Sequence, residues 1–368
     1  MKVLFINGVC GIRSTGRIVV DLAERYMNHG HEVRIAYGRE CAPEKYVGIS
    51  YRIGSNVNVK INGLKARVFD NEGFNAVNTT KSFLKWADVY NPDVVWLHNL
   101  HGYYINIELL FQWIKSRPHM EVKWTLHDGW AFTGHCSNSS YIGCDRWKRG
   151  CYHCPQKKEY PTSWLFDHST ENYRRKRDSF CGVENMTIIT PSNWLADLVK
   201  QSFLKDYSVE VIHNTIDEKV FRPVQSNFRE KYGVQNKKLV LGVSSVWTVR
   251  KGIQDYIVLS EMLDESFKIV LVGLSSEQVK RLPTSIIGIE KTNSREQLAE
   301  IYTASDVFVN LTYEDTYPTV NLEAQACGTP CLTYRTGGSI ESVPADHVVE
   351  QGDLEEMVNK IKEICLKG

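Results

Sequence analysis

The chain has 368 residues, 42% of them hydrophobic and 24% charged, enough to bury a core and unlike a disordered tail. Lysine plus arginine number 44 against 43 aspartates and glutamates, so the chain lacks the basic field of a bulk nucleic-acid binder. No apolar run reaches the roughly 18 residues needed to span a bilayer.

The opening residues Met1–Gly8 read as a strand ending in a glycine turn, not as a signal peptide. Ten cysteines without a signal point to a reducing cytoplasm, where a cysteine cluster reads first as a metal site. Val3–Ile6 is a buried strand. Thr15–His29 follows as a helix, with Ile18, Val19, Leu22 and Tyr26 on one face and Gly30 as its stop. Strands are then predicted at His31–Tyr37, Asp93–Leu97, Val122–Leu126 and Met186–Thr190, each with a helical segment near it. A second series runs from the strand Leu239–Ser244 through the helix Ile253–Leu263 to the strand Lys268–Val272. It continues with the helix Arg295–Ala304, the strand Val307–Leu311, the helix Val320–Cys327 and the strand Pro330–Tyr334. Alternating strands and helices imply parallel sheets covered on both faces. Two such series predict two doubly wound α/β domains, divided as 1–205 and 206–368. The Cys-, Gly- and aromatic-rich stretch Gly129–Pro161 interrupts the first domain, and a loop that long is usually functional or locally cross-linked.

Ligands of open parallel sheets bind beyond the carboxyl ends of the strands. The first strand delivers Asn7 through Thr15. The amides around Gly11 and Ser14 and the following helix start suit a phosphate, or Ser14 or Thr15 simply caps the helix. Two neighbouring strands deliver His98, His101 and His127-Asp128-Gly129-Trp130. Histidine there can hydrogen-bond sugar hydroxyls or move a proton near neutral pH. Asp128 is not expected to orient His127, because adjacent strand residues point oppositely. In the second domain Glu314 and Asp315 follow a strand and open a helix that carries Glu323 one turn in. Arg250 and Lys251 stand at another strand end, where a lysine can neutralise a diphosphate.

These residues resemble a family: the retaining, GT-B-fold glycosyltransferases of family 4, which build bacterial polysaccharides. The strongest part is Asp306 to Asn310, then Glu314-Asp315-Thr316-Tyr317-Pro318-Thr319-Val320-Asn321-Leu322-Glu323-Ala324 and Cys327-Gly328-Thr329-Pro330. It is similar to the family's paired-acid signature and the run that comes after it. Arg250-Lys251-Gly252, Pro191-Ser192-Asn193, His213-Asn214-Thr215 and Thr336-Gly337-Gly338-Ser339 fall in the family's order. The segment Thr125–Trp130 with the later cysteines is similar to a subgroup that assembles capsules and exopolysaccharides.

The resemblance implies two Rossmann-like domains facing a cleft, the first on the acceptor side and the second holding a UDP- or GDP-sugar. It implies that Glu323 holds the ribose and that Asp315 stands near the transferred sugar. Lys251 would bind the diphosphate, with Arg250 a possible substitute for a missing partner cation. Amides near Thr319 and Val320 would meet the phosphates, and His127 a hydroxyl of the donor sugar. His98 and His101 are acceptor-side candidates. No catalytic metal is implied, and the acceptor would be a lipid-linked saccharide at the cytoplasmic face of a membrane. The sequence departs from the pattern at Ser245, where an arginine is usual, at Pro318, where a glycine amide is common, and at Arg13 and Ser14, which replace paired glycines. The chain as given stops before the segment that in the family crosses back onto the first domain.

Cys136, Cys144, Cys151 and Cys154 have the spacing C-x7-C-x6-C-x2-C, which suits a structural tetrahedral zinc. Free thiols, disulfides and an iron–sulfur cluster are the alternatives. The basic run Arg174–Arg177 reads either as a solvated helix face or as a contact for anionic lipid, and Val57–Phe69, with Lys60, Lys65 and Arg67, is a second such candidate. Two other readings are a sugar-nucleotide epimerase of the same architecture and a non-enzymatic zinc-stabilised binding protein.

Overall fold

The computed structural model describes residues 1–367, and the chain divides into two compact units between His213 and Asn214. The first unit carries a seven-stranded sheet. Its strands are β1 (Lys2–Asn7), β2 (Glu32–Tyr37), β3 (Ser50–Arg52), β4 (Val94–Leu97), β5 (Glu121–Thr125), β6 (Met186–Thr190) and β7 (Ser208–Val211). They lie in the order β3-β2-β1-β4-β5-β6-β7, and every pairing is parallel. The second unit has six parallel strands: β8 (Lys238–Val243), β9 (Phe267–Val272), β10 (Ile286–Ile289), β11 (Val307–Asn310), β12 (Cys331–Tyr334) and β13 (Val348–Val349). Their order is β10-β9-β8-β11-β12-β13.

The central strands are apolar throughout because both faces of each sheet are covered. Alternation along β1 sends Leu4 and Ile6 to one core and Val3 and Phe5 to the other. In the second unit Val240 enters one core and Leu239 and Leu241 the opposite one.

The strand orders fix where ligands can sit. After β1 the chain steps outward to β2 and β3, then returns to lay β4 on the other side of β1. The second unit repeats this with β8 and β11. A crevice opens at such a reversal, beyond the carboxyl ends of the two strands. In the first unit it is lined by the loops after β1, β4 and β5, in the second by the loops after β8 and β11.

The expected inner strands and helices are present, with ends shifted by a residue or two. The first helix runs Arg13–Asn28 with Ile12 at its cap and no capping side chain. Ser14 and Thr15 already lie inside it, so neither caps it. The sequence division assigned Ser208–Val211 to the second domain; as β7 it pairs with β6 and belongs to the first sheet. The segment Gly129–Pro161 is folded, with short 3-10 turns at Gly129–Phe132, Ser140–Ile142 and Arg146–Lys148. Buried Trp130, Phe132 and Trp147 pin it to the core. Among the described residues no helix is long and apolar enough to cross a membrane.

The basic run Arg174–Arg177 is not one solvated face. Lys176 is buried, with Nζ donating to the carbonyls of Trp130 and Thr133 at 2.7 and 3.1 Å. Arg175 makes a bidentate pair with Glu108, Arg174 pairs with Glu171 and Asp178, and Arg177 pairs with Asp178. Backbone carbonyls hold the Lys176 ammonium, and neighbouring carboxylates of the same unit pair with the three arginines.

Candidate active site

In the second unit β8 ends at Val243, and the chain passes through Ser244–Thr248 into a 3-10 turn, Val249–Lys251. Gly252 closes this turn at φ 72°. A Cβ there would stand 2.1 Å from the Leu311 carbonyl oxygen, so glycine lets the turn press against the end of β11. That approach brings Lys251 Nζ to 2.5 Å from Asp315 Oδ2. Each side chain of the pair is about one-fifth exposed. Burial would raise the Asp315 pKa; the Lys251 charge and hydrogen bond, with the Arg250 charge, outweigh it and hold the carboxyl below its ordinary value. Arg250 Nη1 donates to the Glu314 carbonyl at 2.5 Å. The Asp315 carbonyl accepts from Gly338 N at 2.9 Å, and a Cβ on Gly337 would lie 2.2 Å from it. The Gly337-Gly338 pair therefore grips the backbone of Asp315.

The helix Thr319–Ala326 follows Pro318, which carries no N–H, and no side chain caps it. The opening amides at Thr319 and Val320 thus lie at an uncapped helix start. Glu323 is buried one turn in and accepts from Tyr302 Oη at 3.1 Å. Burial and then the Glu323 charge keep the Tyr302 phenol protonated. A buried polar network seats this helix. Asn310 Nδ2 donates to Asn321 Oδ1 at 2.8 Å, Asn321 Nδ2 donates to Ser342 Oγ at 2.8 Å, and Ser339 Oγ lies 2.7 Å from Thr333 Oγ1. Asn214 Nδ2 donates to the Tyr317 carbonyl at 3.0 Å, tying the start of the unit to the same loop. Ser245 is exposed and supplies no cation.

In the first unit Asn7 ends β1. Its Oδ1 accepts from Asn99 N at 3.1 Å and its Nδ2 donates to the Val9 carbonyl, so it clamps the loops after β1 and β4 together. Gly11 takes φ 69° and donates to the Gly16 carbonyl at 3.0 Å, while Ser14 is exposed. The histidines come together because β4 and β5 are neighbours. His98 Nδ1 lies 3.0 Å from His127 Nε2. Burial, then the neighbouring ring, holds His98 well below the usual imidazole range, and burial pushes His127 down to about 4. Both rings are therefore neutral near pH 7, and one N–H joins them.

The Nε2 of His98 is buried with no hydrogen-bond partner. An orphaned buried N–H is rarer in proteins than an under-used acceptor. The proton consequently sits on His98 Nδ1 and is donated to His127 Nε2, which puts the proton of His127 on Nδ1. Asp128 turns away: Oδ2 pairs with His101 Nε2 at 3.0 Å and Oδ1 accepts from Trp130 N at 2.9 Å. His101 Nδ1 meets Tyr160 Oη at 2.9 Å. His98 and His101 thus act on different partners.

Cys136, Cys144, Cys151 and Cys154 lie within electrostatic reach of one another, and all are free thiols. Cys151 Sγ accepts from Gly134 N at 3.1 Å. Nearby His135 is buried, with Nδ1 on Asp70 Oδ1 and Nε2 without a partner. Among the described residues no three His, Cys, Asp or Glu side chains are already drawn into a metal-holding group.

Asp70, Glu72 and Tyr302 carry none of the expectations drawn from sequence. Glu72 is buried, and its Oε1 accepts from Gly102 N at 2.6 Å and Tyr103 N at 3.0 Å, fixing the loop that bears His101. Its acidic neighbourhood gives no local spacing signal; only the fold brings residues 72 and 102 together.

The sequence profile of Glycosyltransferase Family 4 matches residues 15–220, more than half of the chain, and that of Glycosyl transferases group 1 matches 224–367. The chain belongs to Glycosyltransferase Family 4. It is 25% identical over 228 residues to WcaC of Escherichia coli (strain K12), named for a glycosyl transferase of colanic acid biosynthesis; the match covers 59% of this chain and 55% of that one. It is also 25% identical over 176 residues to the N,N'-diacetylbacillosaminyl-diphospho-undecaprenol alpha-1,3-N-acetylgalactosaminyltransferase of Campylobacter jejuni, covering 45% and 46% of the two chains. The matches thus span about half the length of these curated relatives. Among solved structures, sucrose-phosphate synthase of Thermosynechococcus elongatus superposes with a TM-score of 0.71 at 16% identity, covering 99% of this chain and 90% of that one. Anabaena Alr3699/HepE, solved with UDP, superposes at 0.66 and 16% identity, covering 100% and 90%. At these identities the likeness speaks for the fold: two parallel-sheet units of the GT-B type.

Proposed function

We propose that the protein is a retaining glycosyltransferase that moves a sugar from a nucleoside-diphosphate donor to a growing lipid-linked saccharide. The observation that carries this is the cluster at the β8/β11 reversal: Lys251 on Asp315, with buried Glu323 on an uncapped helix start. A lysine keeps two further N–H donors after pairing with Asp315, and these can meet a diphosphate. The amides at Thr319 and Val320 face the same charge. Glu323, held by Tyr302, accepts from the ribose hydroxyls. The positive charge that a departing diphosphate needs comes from Lys251, Arg250 and the helix amides, so the proposed chemistry uses no catalytic metal.

In the first unit His127 donates from Nδ1 to a hydroxyl of the donor sugar, with His98 fixing its tautomer. His127 is a poor base at a pKa of about 4. We therefore give the acceptor proton to a phosphate oxygen of the donor, in a front-face departure and attack. The acceptor class is suggested by the name of the Campylobacter relative and a bacterial polysaccharide product by that of WcaC. The donor reading is supported by the UDP complex of the Anabaena protein, so UDP-sugars are the first to test. We place the reaction at the cytoplasmic face of a membrane.

A donor screen that scores nucleotide release with and without a polyprenyl-diphosphate saccharide tests the reading. Acceptor-dependent release, lost in Glu323→Ala, is expected. Acceptor-free interconversion of the nucleotide sugar, or release indifferent to Glu323, would overturn it.

A further inference from the structure

His101, on the loop after β4, is the centre of a second chain of hydrogen bonds. Glu72 fixes its loop, and its ring meets those of buried Trp130 and of Tyr160 edge-on, with centroids 5.6 and 5.4 Å apart. Burial would raise the Asp128 pKa; the His101 charge and the hydrogen bond to His101 outweigh it and hold the carboxyl below its ordinary value. Asp128 is therefore ionised near pH 7 and can only accept, so it takes the Nε2 proton of His101. In the neutral imidazole Nδ1 is then the acceptor, and it receives the Tyr160 hydroxyl at 2.9 Å.

This chain inverts the usual attitude of a surface tyrosine, which keeps its ring against the protein and its hydroxyl in water. Burial pushes the Tyr160 phenol well above its ordinary range, so the hydroxyl is the sheltered end, yet the residue is 42% exposed. The exposed part is thus the ring. A single exposed apolar group needs no explanation by itself, but this one is held in place from both sides. Glu159 N on the Gln156 carbonyl at 2.9 Å and Ser163 N on the Lys157 carbonyl at 2.8 Å close the turn that delivers it. Its anchors, His101 and Asp128, belong to the loops after β4 and β5, which line the crevice of the first unit. Tyr152, exposed on the same segment, differs: the Arg146 guanidinium covers its ring, 4.8 Å from the centroid.

We propose that the Tyr160 ring is the platform on which the acceptor sugar rests, with His101 and Asp128 as its positioning residues. A pyranose has a rim of hydroxyls and a face of C–H groups, and the electron-rich face of a phenol suits the latter. Tyrosine offers that area with few torsions to freeze, and the bond to His101 freezes them before the ligand arrives. Asp128 turns away from His127, so Tyr160 serves a different sugar ring from the one assigned to His127. The inference rests on the transferase reading only in calling that sugar the acceptor; the contact itself is tested without donor.

The test is saturation-transfer NMR on the full chain, with the methyl glycosides of glucose, galactose, N-acetylglucosamine and N-acetylgalactosamine as probes. Irradiation of aromatic protons should mark the ring C–H groups of at least one glycoside. Tyr160→Ala should abolish the transfer. Tyr160→Phe, which keeps the ring and loses the bond to His101, should weaken binding about threefold to tenfold, the weight of holding one side chain in place. His101→Ala should cost as much, and His101→Asn, whose amide oxygen can stand in for Nδ1, should recover part of it. Tyr152→Ala should leave the transfer unchanged, and unaltered melting of every variant excludes misfolding as the cause. No transfer to any of the four probes, transfer that survives Tyr160→Ala, or full binding by His101→Ala would each overturn the proposal. In the transferase assay Tyr160→Ala should raise the KM for the acceptor saccharide at least about tenfold and leave that for the nucleotide sugar; a rise in the donor KM instead would overturn the acceptor assignment. Failure of the transferase assay with the NMR contact intact would count against the transferase reading alone.

Discussion

The Lys251–Asp315 pair offers the sharpest test of the donor site. Its atoms stand 2.5 Å apart and its side chains are about four-fifths sheltered. It is therefore neither a surface pair, worth at most about 1 kcal/mol, nor a fully buried one. The suitable scale is a charge-assisted hydrogen bond, about 1.5–3 kcal/mol. Lys251→Met and Asp315→Asn should each lower stability by about that amount. The double variant should lose about 1–2 kcal/mol less than the sum of the two, because both single changes remove one interaction. The Asp315 pKa is depressed in the folded chain. The contribution of the pair is therefore full above the unfolded carboxylate value of about 3.9 and is lost as pH falls through the folded value. The stability gap between the parent protein and Lys251→Met should hold at neutral pH and close on acidification. Denaturant melts across pH measure the gap, and nucleotide release measures function. Turnover of Lys251→Met should fall at least about 100-fold, or roughly 2.7 kcal/mol of barrier. Additive stability losses together with near-normal turnover would refute the assignment.

Glu323→Ala should also lose at least about 100-fold in turnover without unfolding the second unit, and Tyr302→Phe, which removes only the hydroxyl that donates to Glu323, should lose less; nucleotide release with each variant checks both. His127→Asn, whose amide nitrogen falls near Nδ1, should keep part of the activity that His127→Ala loses and should leave the acidic limb of the pH–rate profile in place; disappearance of that limb would make His127 a proton carrier. We propose that the cysteine loop closes on zinc by side-chain rotation, so protein purified without an affinity metal should carry about one zinc per chain; metal content well below that leaves free thiols.

The inner strands were legible because parallel strands covered on both faces must be apolar runs. Those that the sequence concealed are β3, β7, β10 and β13, the two edges of each sheet. An edge strand pairs on one side only and meets solvent, so Ser-Val-Glu-Val of β7 and Ser-Tyr-Arg of β3 carry no such signature. The same logic hid Lys176. A lysine among arginines on a helix reads as solvated, and its burial over the Trp130 ring, 3.6 Å from the centroid, depends on a loop folded 46 residues earlier in the chain. The pairing of His98 with His127 was half legible. Both follow strands, but their contact required knowing that β4 and β5 are adjacent, with Leu97 opposite Trp124.

The charge at the β8/β11 reversal bears on how the proposed donor site would hold a diphosphate. Lys251 is already paired with the Asp315 carboxylate there, and buried Glu323 lies on the helix that follows, before any diphosphate arrives. Arg250 already gives one N–H to the Glu314 carbonyl, and Ser245 adds no charge. In the proposed donor site a diphosphate would therefore need Asp315 to remain neutralised and uncharged donors to share the load. The helix start at Thr319 and Val320 supplies those donors without adding a counter-charge. Pro318 offers no amide at that edge, so in the proposed site still more of the phosphate contact would fall to Lys251. On the proposed reading, the pairing between Lys251 and Asp315 is the condition under which this loop could accept an anion.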